Sequence, residues 1–303
     1  MLGCNLSSSV LGEHTVKPHV LLLGSAGQLG VELGKMLPAI AEVTALARQQ
    51  VDITNEKSLR NTVRAARPDF IVNAAAYTAV DKAETDRELA FAVNRRAPQI
   101  LAEEALGLNA WLIHFSTDYV FDGSGHTPWK ETDATNPLNV YGLSKLEGEQ
   151  VVAATGCRHL IFRTSWVYAA HGQNFLQTML RLRAERPKLS IVNDQIGAPT
   201  SAKELSQGVL HVLGRMKQQE PESGIYHMSC GGETSWYGFA QAIFCRATGQ
   251  IPELIPITTE QYPTPALRPH YSVLNGDKLA ERFSLRLEPW ETALAQVMEE
   301  SGI

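Results

Sequence analysis

Short apolar runs and amphipathic stretches alternate along the first half of the chain. Residues 20–23 form an apolar run ending at Gly24, and 42–47, 70–74, 110–116 and 159–164 have the length and character of further strands. Between them, 55–66, 97–108 and 141–154 carry helical patterning, the first stopped by Pro68 and the second with Gly107 near its end. A run as short as Phe70-Ile71-Val72-Asn73 is ambiguous by periodicity alone, so the flanking helices decide. This alternation predicts an α/β fold built on a doubly wound parallel sheet of the Rossmann type. After Trp166 the pattern loosens. Helices are predicted at 174–186, with Phe175, Met179, Leu180 and Leu182 as the apolar face, and at 201–216, 235–248, 278–283 and 290–300. Residues 190–192 are a short strand candidate, and the proline-rich stretch 251–269 reads as a structured loop.

Composition narrows the function class. Of 303 residues, 44% are hydrophobic and 19% charged, which excludes an intrinsically disordered chain. A net charge of −5 without a basic stripe argues against nucleic acid as a partner. No stretch reaches the roughly 18 apolar residues of a membrane span, and residues 1–18 lack the basic and apolar regions of a secretion signal. Cys4, Cys157, Cys230 and Cys245 are scattered without a Cys-x-x-Cys pair, which suits a reducing cytoplasm. The nine histidines form no metal-like set, and Arg181, Arg183 and Arg186 read as one solvated helix face.

Gly24-Ser25-Ala26-Gly27-Gln28-Leu29-Gly30 joins the first strand to a helix. Glycines permit a tight turn and close approach to a pyrophosphate, and a helix N-terminus adds free N–H groups. Gly24, Gly27, Gln28, Leu29 and Gly30 are therefore candidate cofactor contacts. The second strand ends at Ala47-Arg48, where a site preferring NAD carries an acid for the ribose 2′-hydroxyl. Arg48 either pairs with the 2′-phosphate of NADP or is a solvated loop charge. Asp52 and Ile53 either cap the adenine side or start the next helix. On this basis the chain divides into a loose arm over 1–17, a dinucleotide-binding domain over 18–166, and a smaller lobe over 167–303 that is mainly substrate-binding, with some segments returning to the first domain.

Tyr141-Gly142-Leu143-Ser144-Lys145 sets a phenol and an ammonium at positions i and i+4, on one helix face. A phenol titrates near ~10 unperturbed, and a neighbouring ammonium is expected to pull that value down. The same lysine can hold nicotinamide-ribose hydroxyls. Ser116-Thr117-Asp118-Tyr119 follows a strand, at the end where open α/β sheets bind ligands, so a hydroxyl there can reach a substrate oxygen beside Tyr141. Phosphate turn, strand-end hydroxyl and Tyr/Lys helix occur in the right order, and together they are specific.

Longer stretches extend this frame: Asn73-Ala74-Ala75-Ala76-Tyr77-Thr78-Ala79-Val80-Asp81-Lys82-Ala83-Glu84, Pro137-Leu138-Asn139-Val140-Tyr141-Gly142, Phe162-Arg163-Thr164-Ser165-Trp166-Val167-Tyr168, Asn193-Asp194-Gln195-Ile196-Gly197-Ala198-Pro199-Thr200 and Tyr262-Pro263-Thr264-Pro265-Ala266-Leu267-Arg268-Pro269. With them, residues 19–290 resemble the extended short-chain dehydrogenase/reductases and, more closely, the dTDP-4-dehydrorhamnose reductase family. The resemblance implies NAD(P)H-dependent reduction of the C4 ketone of dTDP-4-dehydro-L-rhamnose (dTDP-6-deoxy-L-lyxo-4-hexulose) to dTDP-L-rhamnose. That is the final step of dTDP-rhamnose synthesis for surface polysaccharide such as O-antigen, in the cytoplasm. NADPH is the implied cofactor, with NADH left open.

By the same resemblance Tyr141 would deliver the proton, Thr117 would hydrogen-bond the ketone oxygen, and Lys145 would tune Tyr141 and hold the ribose. Ala75, Ala76 and Tyr77 would lie along the dinucleotide, and Arg268 would clamp the substrate diphosphate. Asp118 would sit beside the sugar or act as an Asx cap, and Trp166 would wall the sugar pocket or join the core. Asn174, Gln195 and Thr200 would contact substrate or fix the small lobe, and Asn94 would have a scaffold or water-relay role. Some family members bind Mg2+ between two subunits through glutamates. Glu32 matches one such position, but Lys203 occupies another with Glu204 adjacent, which leaves the metal and a homodimer open. The competing readings are a non-catalytic cofactor-binding subunit resembling the methionine adenosyltransferase β subunit, or another sugar-nucleotide epimerase, reductase or dehydratase. The Phe162–Trp166 motif and Arg268 favour the reductase over the subunit, and Asp118-Tyr119 lacks the acidic pair of a dehydratase.

Overall fold

In the computed structural model, which describes residues 17–216, 219–249 and 251–302, the apolar run at Val20 is fully sheltered from water. The arm expected over 1–17 lies, but for Lys17, outside the described residues. β1 (His19–Leu23) sits between β2 (Glu42–Leu46) and β3 (Phe70–Asn73). Beyond β3 come β4 (Trp111–Thr117), β5 (Arg158–Thr164) and a sixth strand, Gly224–His227, with every pairing parallel. A parallel sheet is covered on both faces, which is why its strands are apolar throughout. Successive β1 residues feed opposite cores: Val20 and Leu22 pack with Leu33, Val72 and Val209, whereas Leu21 and Leu23 pack with Leu59, Ile71 and Leu101.

The crossovers are α1 (Gln28–Met36), α2 (Glu56–Ala66), α3 (Val80–Ala83), α4 (Arg87–Phe91), α5 (Ala97–Leu108) and α6 (Val140–Ala154). α7 (Phe175–Glu185), α8 (Ala202–Met216), α9 (Trp236–Arg246), α10 (Asp277–Phe283) and α11 (Trp290–Glu300) follow. Strand order reverses between β1 and β3, so the loops leaving their C-terminal ends diverge and open a crevice for ligand.

Three features depart from the sequence pattern. The proline-rich stretch is not wholly loop: Glu253–Ile257 pairs in parallel with Lys188–Val192. Pro256 is tolerated because a two-stranded ribbon consists only of edge strands. The sixth strand, Gly-Ile-Tyr-His, is too short to show a strand period, yet it returns the second half of the chain to the central sheet. α3, α4 and a π-helical turn at Ala92–Arg96 fill the β3–α5 connection. Asn55, Asn174 and Ser235 precede their helices as caps, accepting the N–H of Ser58, Gln177 and Gly238. Among the described residues no helix is long and apolar enough to cross a membrane.

Candidate active site

Gly24 turns the chain out of β1 at φ +80°, and a Cβ there would lie 2.6 Å from the Ala75 nitrogen. Only glycine lets the turn lie so close to the loop after β3. α1 then follows Gly27, its N-cap, with no side-chain cap and no acid in its first turn. Its leading N–H groups and positive dipole end therefore remain for an anion. Gly24, Gly27, Arg48, Asp52, Ile53, Ala75, Ala76 and Tyr77 line one cavity of about 390 Å³. Gln28 and Leu29 line a second, of about 310 Å³, with Thr117, Asp118, Tyr141, Lys145 and Trp166. Gly27, Ala74 and Ala76 border both, so the two form one groove. An uncapped helix start midway along such a groove fits the pyrophosphate of a dinucleotide. Gly30 lines neither cavity and packs against the turn itself. Asp52 accepts the Thr54 N–H and hydroxyl, which hold its carboxyl below the usual range, while Asn55 caps α2.

The second cavity is assembled from β4 and α6. Asn139 caps α6, accepting the Gly142 N–H at 2.8 Å, and the Glu84 carboxylate accepts the Val140 N–H at 2.8 Å. A Cβ at Gly142 would meet the Tyr119 carbonyl at 2.2 Å, so glycine brings the helix down onto the β4 terminus. Tyr141 thereby stands over Thr117 and Asp118, its ring edge-on to Tyr119 at 5.9 Å. Lys145 is buried and donates to the Phe115 carbonyl at 2.5 Å. Thr117 donates to Asp118 at 2.9 Å. The Asp118 Oδ2 and the Ser116 and Thr164 hydroxyls are buried without partners among the described residues. Orphaned polar atoms in one cavity suit a polar ligand.

Burial sets the proton affinities here. Tyr141 is only partly exposed, and the protein around it desolvates the phenol and pushes it up to about 12; Thr117 partly offsets this and Asp118 adds to it. The expected lowering by Lys145 is not seen, because the ammonium is turned to the Phe115 carbonyl. Burial lowers Lys145 to about 8 against the pull of Glu149, and raises Asp118 to about 7 against its hydroxyl neighbours. At neutral pH the site thus presents a protonated phenol and a cationic lysine.

Trp166 adopts φ +45° and stacks on Trp236 at 3.6 Å and 3°. Trp166 faces the second cavity, and Trp236 faces a third cavity of about 590 Å³ with Phe175, Arg186, Gln195, Tyr262 and Arg268. The indole pair is the wall between them. Gln195 donates to Thr259 and accepts from the Trp236 indole N–H. Arg186 lies beyond the end of α7 and reaches the cavity rim instead of continuing a solvated helix face.

Other candidates fall outside the cavities. Asn174 caps α7 and donates to Gln28, Ala169 and His171, tying the start of α7 to the start of α1. Thr200 donates to Ala198 and accepts from Cys230. Asn94 clamps both backbone groups of Tyr77 and reaches Ser144, a scaffold joining the loop after β3 to α6. Glu32 pairs with Lys35 at 2.7 Å and Lys203 with Glu300. Among the described residues no group of three or more His, Cys, Asp or Glu is placed to hold a metal ion. Trp236, Phe175, Arg186, Asn139 and Glu84 were not expected at the site; Trp236 falls within the helix predicted at 235–248, but nothing local marks it as facing a cavity.

Residues 18–303 match a family model described as the RmlD substrate binding domain. The chain is 46% identical over 292 residues to a dTDP-4-dehydrorhamnose reductase of Salmonella typhimurium, covering 93% of this chain and 97% of the relative. The Escherichia coli K12 protein of that name is 44% identical with the same coverage. A crystal structure of a dTDP-4-dehydrorhamnose reductase from Bacillus anthracis in complex with NADP superposes with a TM-score of 0.88 at 35% identity, covering 94% of this chain and 100% of that one.

Proposed function

The chain belongs to the RmlD substrate binding domain family, and we propose that Tyr141, Thr117 and Lys145 carry its chemistry. It is a nicotinamide-dependent oxidoreductase that reduces the C4 ketone of dTDP-4-dehydro-L-rhamnose. The observation that carries the residue assignment is the single cavity shared by the phosphate turn, the Thr117 hydroxyl and the protonated Tyr141 phenol. When bound in the groove, the nicotinamide supplies the hydride. Negative charge then builds on the C4 oxygen, and Tyr141 delivers a proton to it while Thr117 donates a hydrogen bond. Thr117 must turn from Asp118 to do so. Lys145, whose ammonium lines the same cavity, would hold the ribose hydroxyls. The deoxysugar lies against Trp166, and the nucleotide occupies the third cavity, with Arg268 at the diphosphate and Phe175 and Trp236 offering flat apolar surface.

The test is a 340 nm assay with enzymatically generated dTDP-4-dehydro-L-rhamnose, run with NADPH and then NADH. Substrate-dependent oxidation is expected; tight cofactor binding without turnover would return the chain to a regulatory role. Arg48 borders the adenosine end of the groove, at the tip of β2 where an acid would select NADH. Arg48→Ala is expected to raise the KM for NADPH about 10–100-fold, the worth of one charge-assisted hydrogen bond, and to leave that for NADH unchanged. Equal effects on both cofactors would reduce Arg48 to a solvated charge.

Lys145 sets a pH limit. Its ammonium is the form that donates to the ribose, and burial brings its titration down to about 8. NADPH affinity is expected to weaken as pH rises through that value, with Tyr141 still protonated. A flat affinity from pH 7 to pH 9.5 in a fluorescence titration would remove Lys145 from ribose binding.

A further inference from the structure

We propose that Asp81 is a positioning residue for the nucleotide-sugar: it locks one edge of Arg268, fastens the 262–269 loop to the dinucleotide domain, and leaves the other guanidinium edge aimed at the substrate. This rests on the reading that Arg268 meets the substrate diphosphate.

Asp81 lies on α3 and Arg268 on a loop 187 residues later. Their pairing is bidentate, Nη1 to Oδ1 at 3.0 Å and Nη2 to Oδ2 at 2.8 Å. Nη1 also donates to the Thr264 hydroxyl at 2.5 Å and the Ala266 carbonyl at 3.1 Å. A guanidinium has five N–H donors in a fixed fork. The Asp81 contacts use the end-on edge formed by Nη1 and Nη2, and Thr264 and Ala266 take the second Nη1 hydrogen. The Nε hydrogen and the second Nη2 hydrogen form the side-on edge, and among the described residues neither finds an acceptor. Arg268 lines the cavity shared with Gln195 and Trp236, so a two-donor fork remains for an anionic group. The guanidinium is largely buried and Asp81 about half-exposed, at 20% and 42% side-chain exposure, so the pair keeps more strength than a surface ion pair.

The same aspartate organises the loop. Its Oδ1 accepts the Ala266 N–H at 3.3 Å. The next residue, Leu267, offers its carbonyl to Asn139 at 2.7 Å, and Asn139 is the cap of the helix that bears Tyr141. Asp81 therefore sets Arg268 and its loop in register with the catalytic helix. Tyr141 does not depend on it, because Asn139 and Glu84 cap α6 independently. Neutralising Asp81 should loosen the grip on the nucleotide and spare the chemical step.

The experiment compares Asp81→Asn, Arg268→Gln and the double variant in the full chain. It reads KM and kcat for the dTDP-sugar, dTDP affinity by calorimetry, and NADPH affinity by fluorescence. Asp81→Asn is expected to raise KM and weaken dTDP about tenfold, with kcat changed less than about threefold and NADPH affinity less than about twofold. In the Arg268→Gln background the Asp81 change should add less than about twofold, since its effect passes through that guanidinium. Asp81→Glu, which keeps the charge, should recover most of the affinity, and it carries the test if Asp81→Asn does not fold. Two results overturn the proposal: an unchanged KM in Asp81→Asn while Arg268→Gln raises it, or single effects that multiply in the double variant. An unchanged KM in Arg268→Gln instead removes the diphosphate reading beneath it.

Discussion

Replacing Tyr141 with phenylalanine is expected to lower kcat by about 10²–10⁴-fold, the usual worth of a positioned general acid. The ring, its edge contact with Tyr119 and the caps of α6 are all retained, so fold and NADPH affinity should stay near those of the parent chain. What is lost is the phenol proton beside the strand-end hydroxyl. Burial keeps the phenol protonated across the neutral range, so the parent enzyme should show no loss of rate attributable to phenol ionisation below pH 9. A Tyr141→Phe variant retaining more than about a tenth of kcat would mean that another acid serves the C4 oxygen. Asp118 would then be the first suspect, since burial keeps its carboxyl partly protonated near pH 7.

The groups proposed for that step differ in how far they could be read from the chain. Tyr141 and Lys145 are one helical turn apart, so their common face follows from the helix period alone. The turn at Gly24 and Gly27 and the Thr117 hydroxyl are similarly local, each fixed by its place after an apolar run. Pairings across long sequence separations left no such mark. The Trp166–Trp236 wall joins residues 70 apart, and the Asp81–Arg268 lock joins residues 187 apart. The sixth strand is only four residues long, Gly-Ile-Tyr-His, and unlike β3 it has no apolar run to mark it. Gly30 looked like a phosphate contact by spacing; in three dimensions it is the residue that lets α1 fold back on its own turn. Lys145 was expected to lower the phenol, but spacing says which face a side chain shares and not where its N–H groups point.

The largest stability effect should come from beneath this site, at Glu149, one helical turn below Lys145. It pairs with Arg163 of β5 through two hydrogen bonds of 2.9 and 2.6 Å, and both side chains are almost fully buried. Two charges in a core cost much desolvation, so the pair adds little net stability, but removing one partner strands the other. Glu149→Gln is expected to cost about 3–5 kcal/mol and lower Tm by roughly 10 °C. Arg163 has nowhere else to turn: its Nη1 already lacks a partner among the described residues, and its guanidinium lies over the Phe121 ring at 5.1 Å. Glu149→Leu combined with Arg163→Met removes both charges and keeps most of the packed volume. That double variant should unfold within about 1–2 kcal/mol of the parent chain, on either side of it. Urea melts of the single and double variants decide the matter. If the single change costs under about 1 kcal/mol, water reaches the guanidinium and the pair is not a sealed core element. If the double change costs as much as the single one, volume and not charge holds α6 to β5, and the support under Lys145 is hydrophobic packing.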